Sequence, residues 1–331
     1  AGRLEEVEAI DRRTLEIRRR TLGDDHPDTL KSLNGLAATQ FTRGRYADAA
    51  QTFAEVLDAA RHQLGESHPH TITLANNLAA AYLELGDFAR AEALFRDNIR
   101  DRTRVLGPEH HETGTSLHNL GVTLAQQARF DEAEDVLRRA IEVRCSDAGN
   151  PGTCLFSRSH LADVYRDQGR FDAAEDLYTQ ILGRQRSQYG QDHRDTLKTA
   201  VDLAELRLLQ GDLTAAEELL TGSCEALVTA RSEGHPDTLH CLTALAWVRF
   251  EQGRLDESLE LSARAIDIGE RDLGPDHPVT LAAVLERART LAALGRTAEA
   301  TELRLRVVEG RTRIFGEDHP KTREARELAV E

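Results

Sequence analysis

Apolar residues recur at helical spacing along this chain, interrupted at regular intervals by single glycines. Between Thr73 and Leu85 the apolar positions are Leu74, Leu78, Ala81, Tyr82 and Leu85, which share one stripe of a helix. Gly86 follows, and a residue without a Cβ accepts the positive φ of a tight turn. Phe88, Ala91, Leu94 and Phe95 open a second stripe, predicting a helix to about Leu106 that ends at Gly107. The pattern is a helix pair with its polar positions turned outward.

The pair repeats. His26-Pro27-Asp28-Thr29 returns as His68-Pro69-His70-Thr71, His110-His111-Glu112-Thr113, His193-Arg194-Asp195-Thr196, His235-Pro236-Asp237-Thr238, His277-Pro278-Val279-Thr280 and His319-Pro320-Lys321-Thr322. The spacing is 42 residues, except for 83 between His110 and His193, two periods less one residue. Gly44, Gly86, Ala128, Gly169, Gly211, Gly253 and Gly295 keep the same register. Two independent markers at one period predict a repeat array rather than two globular domains. Proline suits the first helical turn, where its missing N–H has no intrahelical partner. The cap before it falls to the histidine or to an acidic residue just ahead of it. Small residues recur where helices must approach: Ala37, Ala79, Gly121, Ala162, Ala204, Ala246 and Ala288 on first helices, and Ala49, Ala91, Ala133, Ala174, Ala216, Ser258 and Ala300 on second ones.

A small residue on the first helix, Gly at the turn and an aromatic three before Ala resemble the tetratricopeptide repeat (TPR). The Leu-Gly-x-x-His-Pro-x-Thr phrase and Asn76-Asn77-Leu78-Ala79 resemble its kinesin-light-chain variety. The resemblance implies an all-α, right-handed superhelical solenoid of antiparallel helix pairs, about seven units long. Residues 1–331 would form a single solenoid that begins and ends within repeats, with 1–22 a lone second helix and 320–331 the start of another first helix. Uncapped end helices would permit self-association. The stretch 145–156 is an irregular junction, a hinge or a change of pitch, where Cys145-Ser-Asp-Ala-Gly-Asn-Pro-Gly-Thr-Cys154 replaces the His-Pro phrase.

Charge narrows the function. Lys+Arg is 42 against Asp+Glu 57, a formal charge of -15, which argues against nucleic acid. No apolar run is long enough for membrane insertion. Four scattered cysteines do not make a disulfide framework, so free thiols in a cytoplasmic protein are expected, with a Cys145–Cys154 bridge the minor alternative. Only Lys31, Lys198 and Lys321 are lysines; this arginine bias suggests a GC-rich bacterial genome. The absence of Met suggests a chain excised from something longer. No phosphate loop, nucleophile elbow or His-Glu-x-x-His phrase occurs, so neither an enzyme nor a cofactor is expected. The periodic histidines fall one per repeat, too far apart for a metal. The Glu and Arg of the second helices read as a solvated face with i,i+4 pairs.

The expected function is a protein–protein interaction scaffold. In the resembled family the first helices line a concave face that holds an extended peptide. Carried onto this sequence, that face takes Asn34, Asn76, Asn77, His118, Asn119, Ser159 and His160, then Asp202, Glu205, Trp247, Phe250, Glu251 and Glu286, with Arg289 the basic exception. Four of the six asparagines lie there, and an amide both donates to and accepts from a peptide main chain. Trp247, the sole tryptophan, is either a binding anchor or packed between helices. Lys31, Asn77 and Asn119 partly fit the family's carboxylate clamp, but Gly35 and Thr115 do not. The alternative roles are a sensor or autoinhibitory arm of a larger bacterial signalling protein, and a self-assembling solenoid.

Overall fold

Each predicted stripe forms a helix. The computed structural model describes residues 2–24, 26–146, 151–230, 233–317 and 319–330, with sixteen α-helices among them. They fall into two compact units. The unit Gly2–Val164 contains α1 (Gly2–Leu22), α2 (Pro27–Thr42), α3 (Tyr46–Leu64), α4 (Pro69–Glu84), α5 (Phe88–Leu106), α6 (His111–Gln126), α7 (Phe130–Ser146) and most of α8 (Pro151–Asp167). The unit Tyr165–Glu331 contains α9 (Phe171–Tyr189), α10 (Arg194–Leu209), α11 (Leu213–Ala230), α12 (Pro236–Glu251), α13 (Leu255–Asp272), α14 (Pro278–Ala293), α15 (Thr297–Phe315) and α16 (Pro320–Val330). Consecutive helices pack together from α1 to α7 and from α9 to α16, and first helices also touch one another: α4 with α6, and α12 with both α10 and α14.

The histidine is the cap. α4 begins one turn before the apolar stripe, because His68 and Pro69 open it. In all seven copies the histidine Nδ1 accepts a hydrogen bond from the backbone N–H two residues on, at 3.1–3.3 Å. That removes one orphan donor from each helix start. The threonine of the phrase ties back to the preceding turn: Thr29, Thr113 and Thr196 donate to the carbonyls of Gly23, Gly107 and Gly190 at 2.8–2.9 Å. At the other turn the glycines take positive φ, and Ala128 at φ 56° is the one non-glycine to do so among the described residues.

The small residues are where the helices meet. Ala37, Ala79, Ala91, Ala133, Ala162, Ala174, Ala204, Ala216, Ala246 and Ala288 are fully buried. A Cβ on Gly121 would lie 2.6 Å from Leu137 Cγ, so the sixth helix has no room for alanine. Ser258 fits because its Oγ lies 2.9 Å from Thr290 Oγ1.

Many charges of the second helices bind the next repeat as well as their own helix. Glu92 accepts from Gln127 at 3.0 Å and from Arg129 at 2.7 Å, 35 and 37 residues on. Glu217 does the same with Gln252 at 2.6 Å and Arg254 at 3.3 Å, and Glu175 with Gln210 at 3.1 Å. Buried Glu8 accepts from Arg12, Arg43 and Arg45. A second series runs beneath the histidine turns. Arg18, Arg102 and Arg311 donate to the carbonyls of Asp28, Glu112 and Lys321 at 2.6–2.9 Å. The expected solvated face is thus partly an adhesive between repeats.

The expectation of free thiols is corrected: Cys145–Cys154 and Cys224–Cys241 are disulfides, with Cα–Cα distances of 5.0 and 5.6 Å. Each joins a second helix to the following first helix, and the free-thiol argument for a reducing compartment falls with them. Of the irregular stretch 145–156, residues 147–150 lie outside the described residues.

Candidate functional site

In the unit Gly2–Val164 the predicted face is built by α2, α4, α6 and α8. Asn34 is half-buried on α2, and its Oδ1, closed off from solvent, has no partner among the described residues. Asn119 on α6 donates through Nδ2 to Asn76 Oδ1 on α4 at 3.1 Å, so two predicted contact residues bind each other. Asn77, half-buried beside them, makes no side-chain hydrogen bond among the described residues.

His118 is buried rather than displayed. Its Nδ1 lies 3.1 Å from Ser157 Oγ, which also accepts from Arg144 Nη1 at 3.0 Å. Burial, then the nearby His160 and Arg144, hold its pKa well below the ordinary histidine value. It is therefore a neutral core residue at physiological pH. Ser159 is also buried. His160 stays partly exposed, with Nδ1 3.1 Å from Asp163 Oδ2. Phe156, which the repeat register did not predict, stands 50% exposed beside both imidazoles, its ring centroid 5.3 Å from His118 and 5.1 Å from His160. Elsewhere in this unit a cavity of about 310 Å³ opens between α1 and α3, lined by Arg12, Glu16, Arg19, Asp48 and Glu55 over Leu33 and Leu36.

In the unit Tyr165–Glu331 the face is charged and aromatic. Asp202 on α10 is buried and paired with Lys198 Nζ at 3.0 Å. Glu205 accepts from His240 Nε2 on α12 at 3.1 Å. Burial works against a charged His240, but Glu205 and Asp202 outweigh it and raise the imidazole pKa. Burial likewise opposes ionised Glu205, yet His240 and the nearby Arg166 and Lys198 hold its carboxyl below the ordinary value.

Trp247 combines the two roles the sequence left open. It is half-buried against the core of this unit, while its Nε1 donates to Glu251 Oε1 at 3.0 Å. The guanidinium carbon of Arg289, on α14, lies 5.3 Å from the ring centroids of both Trp247 and Phe250. Next to it Glu286 is buried, with one carboxylate oxygen 3.6 Å from Arg289 and the other without a partner. Burial above all, with Glu251 adding repulsion against the pull of Arg289, pushes Glu286 up to about 7.

Against known proteins, residues 1–62, 43–99, 70–146, 154–227 and 248–303 match the tetratricopeptide repeat. The chain belongs to the tetratricopeptide-repeat family. Among solved structures it is similar to the apo quorum sensor NprR from B. thuringiensis, 16% identical over 92% of this chain and 83% of that one, with a TM-score of 0.67. It is also similar to yeast Tom70, 14% identical over 99% of this chain and 58% of that one, TM-score 0.63. At such identities these likenesses establish the TPR fold alone. The nearly identical, kinesin-light-chain TPR-like repeats of Podosopora anserina are 28% identical over 60% of this chain and 94% of that one, TM-score 0.48. No curated protein matches the chain. The TPR fold is a protein-interaction scaffold, and none of the described helices is long and apolar enough to cross a membrane.

Proposed function

We propose that this TPR protein is an interaction scaffold that holds an extended segment of a partner protein against the exposed face of its first helices. The observation that supports it best is the unspent amide chemistry on α4. The Asn77 amide, half-buried on the predicted face, makes no hydrogen bond among the described residues. Such groups can pair with a peptide main chain whatever its side chains, and half-burial lowers the competition from water. The same face would serve a free-standing scaffold or an arm of a larger bacterial signalling protein.

A displayed-peptide selection, counter-screened with Asn77→Ala/Asn119→Ala, tests the reading. Enriched peptides that lose about tenfold in affinity for the double variant support it, since two amide hydrogen bonds carry roughly that much. Enrichment that ignores the substitutions overturns the assignment to this face.

A second reading, self-association, is favoured by α1. Val7, Ile10 and Ile17 lie on one stripe of that helix and are 42–63% exposed, and such a stripe gains by meeting another apolar surface. A scattering mass that rises with concentration in the wild type, but not in Ile10→Glu/Ile17→Glu, supports it. A constant monomer mass disposes of it.

A further inference from the structure

Arg289 makes no hydrogen bond among the described residues. Its guanidinium leans over two aromatic rings on the neighbouring first helix, 5.3 Å from each centroid, within the roughly 6 Å over which a ring face attracts a cation. The side chain is 46% exposed, and its one carboxylate neighbour, Glu286, stands 3.6 Å away, beyond hydrogen-bond reach. Five N–H donors are therefore left to water. The opposite deficit lies beside them. Glu286 is nine-tenths buried, with one carboxylate oxygen lacking any donor, and Glu251 uses only one of its oxygens on Trp247. A buried carboxylate oxygen without a donor is costly, and native proteins keep few of them.

Above about pH 7, where Glu286 is ionised, the charge balance is negative. Among the described residues Glu286 is paired with Arg289 and Glu251 with the Trp247 N–H, and along the same row Asp202 and Glu205 face Lys198 and His240. An arriving anion would meet the Arg289 guanidinium but also two carboxylates. An arriving guanidinium would meet two ring faces and the free oxygen of Glu251. Arg289, displaced from the rings, would need to close less than an ångström to hydrogen-bond Glu286.

We propose that the Trp247–Phe250 shelf, rimmed by Glu251 and Glu286, receives an arginine side chain of the partner segment, with Arg289 as its placeholder in the free protein. The proposal rests on the scaffold reading and supplies its ligand chemistry in the unit Tyr165–Glu331. Planar guanidinium matches the shelf better than ammonium, because it stacks on a ring and offers a fork of donors to a carboxylate at once.

Trp247 is the only tryptophan, so its fluorescence reports on this shelf alone. The full chain is titrated with four blocked octapeptides, Gly-Arg, Gly-Lys, Gly-Gln and Gly-Glu repeats, at about 0.15 M salt to screen long-range attraction. The Gly-Arg peptide is expected to change the emission saturably and to bind more tightly than Gly-Lys. Glu251→Gln/Glu286→Gln should weaken it about tenfold, and Arg289→Ala, which empties the shelf, should tighten it several-fold. Glu218→Gln/Glu225→Gln replaces two carboxylates at exposed positions on α11 and should leave affinity unchanged. Equal weakening in that control, a silent Gly-Arg titration, or tighter binding of Gly-Glu overturns the proposal. The scaffold reading fails separately. Peptides selected through Asn77 and Asn119 without arginine would leave it standing, whereas a selection enriching nothing would sink it whatever the fluorescence shows.

Discussion

His277 Nδ1 accepts the backbone N–H of Val279 at 3.3 Å, and it can do so only while that nitrogen carries no proton. Six other histidines cap their helices the same way. Burial pushes His277 down to about 4 from an ordinary 6.5, and His319 also to about 4, through burial and then Lys321, Arg311 and Arg323. A folded-state pKa below the unfolded one means the unfolded chain binds more protons between the two values. The contribution of the His277 and His319 caps is complete above about pH 6.5 and is lost as pH falls toward 4. Urea melts from pH 8 to 4 should show that decline. His277→Asn keeps a capping side chain but removes the titration, so it should flatten part of the slope, while His277→Ala should cost about 1 kcal/mol at neutral pH. A slope unchanged in His277→Asn would contradict the assignment.

Glu286 works in the opposite sense. Its folded-state pKa, about 7, lies above the ordinary 4.5, so the folded protein binds the extra proton between those values; stability falls as pH rises from about 4.5 to 7, and the loss is complete above that. Glu286→Gln is expected to stabilise the fold by roughly 1–3 kcal/mol at pH 8 and to change little at pH 4. Denaturant midpoints at the two pH values check this; equal effects at both would contradict it.

Ala128 stands where the other repeats have glycine, at φ 56°. The left-handed region costs an L-residue about 1–2 kcal/mol, partly offset by the greater freedom glycine has when unfolded. Ala128→Gly should therefore stabilise the chain by roughly 0.5–1 kcal/mol, read as a rise in melting temperature. A fall would mean that the methyl group packs usefully.

The Cys224–Cys241 bridge closes a loop of 17 residues between α11 and α12. Chain-entropy reasoning gives such a loop about 3 kcal/mol. Cys224→Ala/Cys241→Ala should lose roughly 2–3 kcal/mol, and thiol titration of the unreduced, denatured wild type should find no reactive sulfhydryl. Four reactive sulfhydryls would return the protein to the free-thiol state its composition suggested.

How far this was legible depends on what a period can report. Helices, turns and small contact residues were readable because each is fixed by its own helix: Ala79 or Gly86 needs no distant partner to declare its role. His118 was misplaced because periodicity gives the face of a helix and not the direction of a ring, and the hydroxyl of Ser157 draws that ring inward. Glu92 and Glu217 read as solvated because their partners lie 35 residues downstream, in another repeat. Phe156 was missed because the irregular stretch erased the His-Pro phrase that sets the register. Pairing of Cys224 with Cys241 likewise needed the packing of α11 on α12.

The carboxylate that reaches 35 and 37 residues forward has a consequence for how such an array can grow. The bond from Glu92 to Gln127 and Arg129, and its counterpart from Glu217 to Gln252 and Arg254, are defined by an offset rather than by an address. If a stretch of 42 residues that holds such a glutamate together with both its partners is copied in tandem, the copy meets its neighbour at the same offset. Each inserted unit arrives already riveted on both sides, so the chain can be lengthened at the level of the gene without a new interface having to be selected.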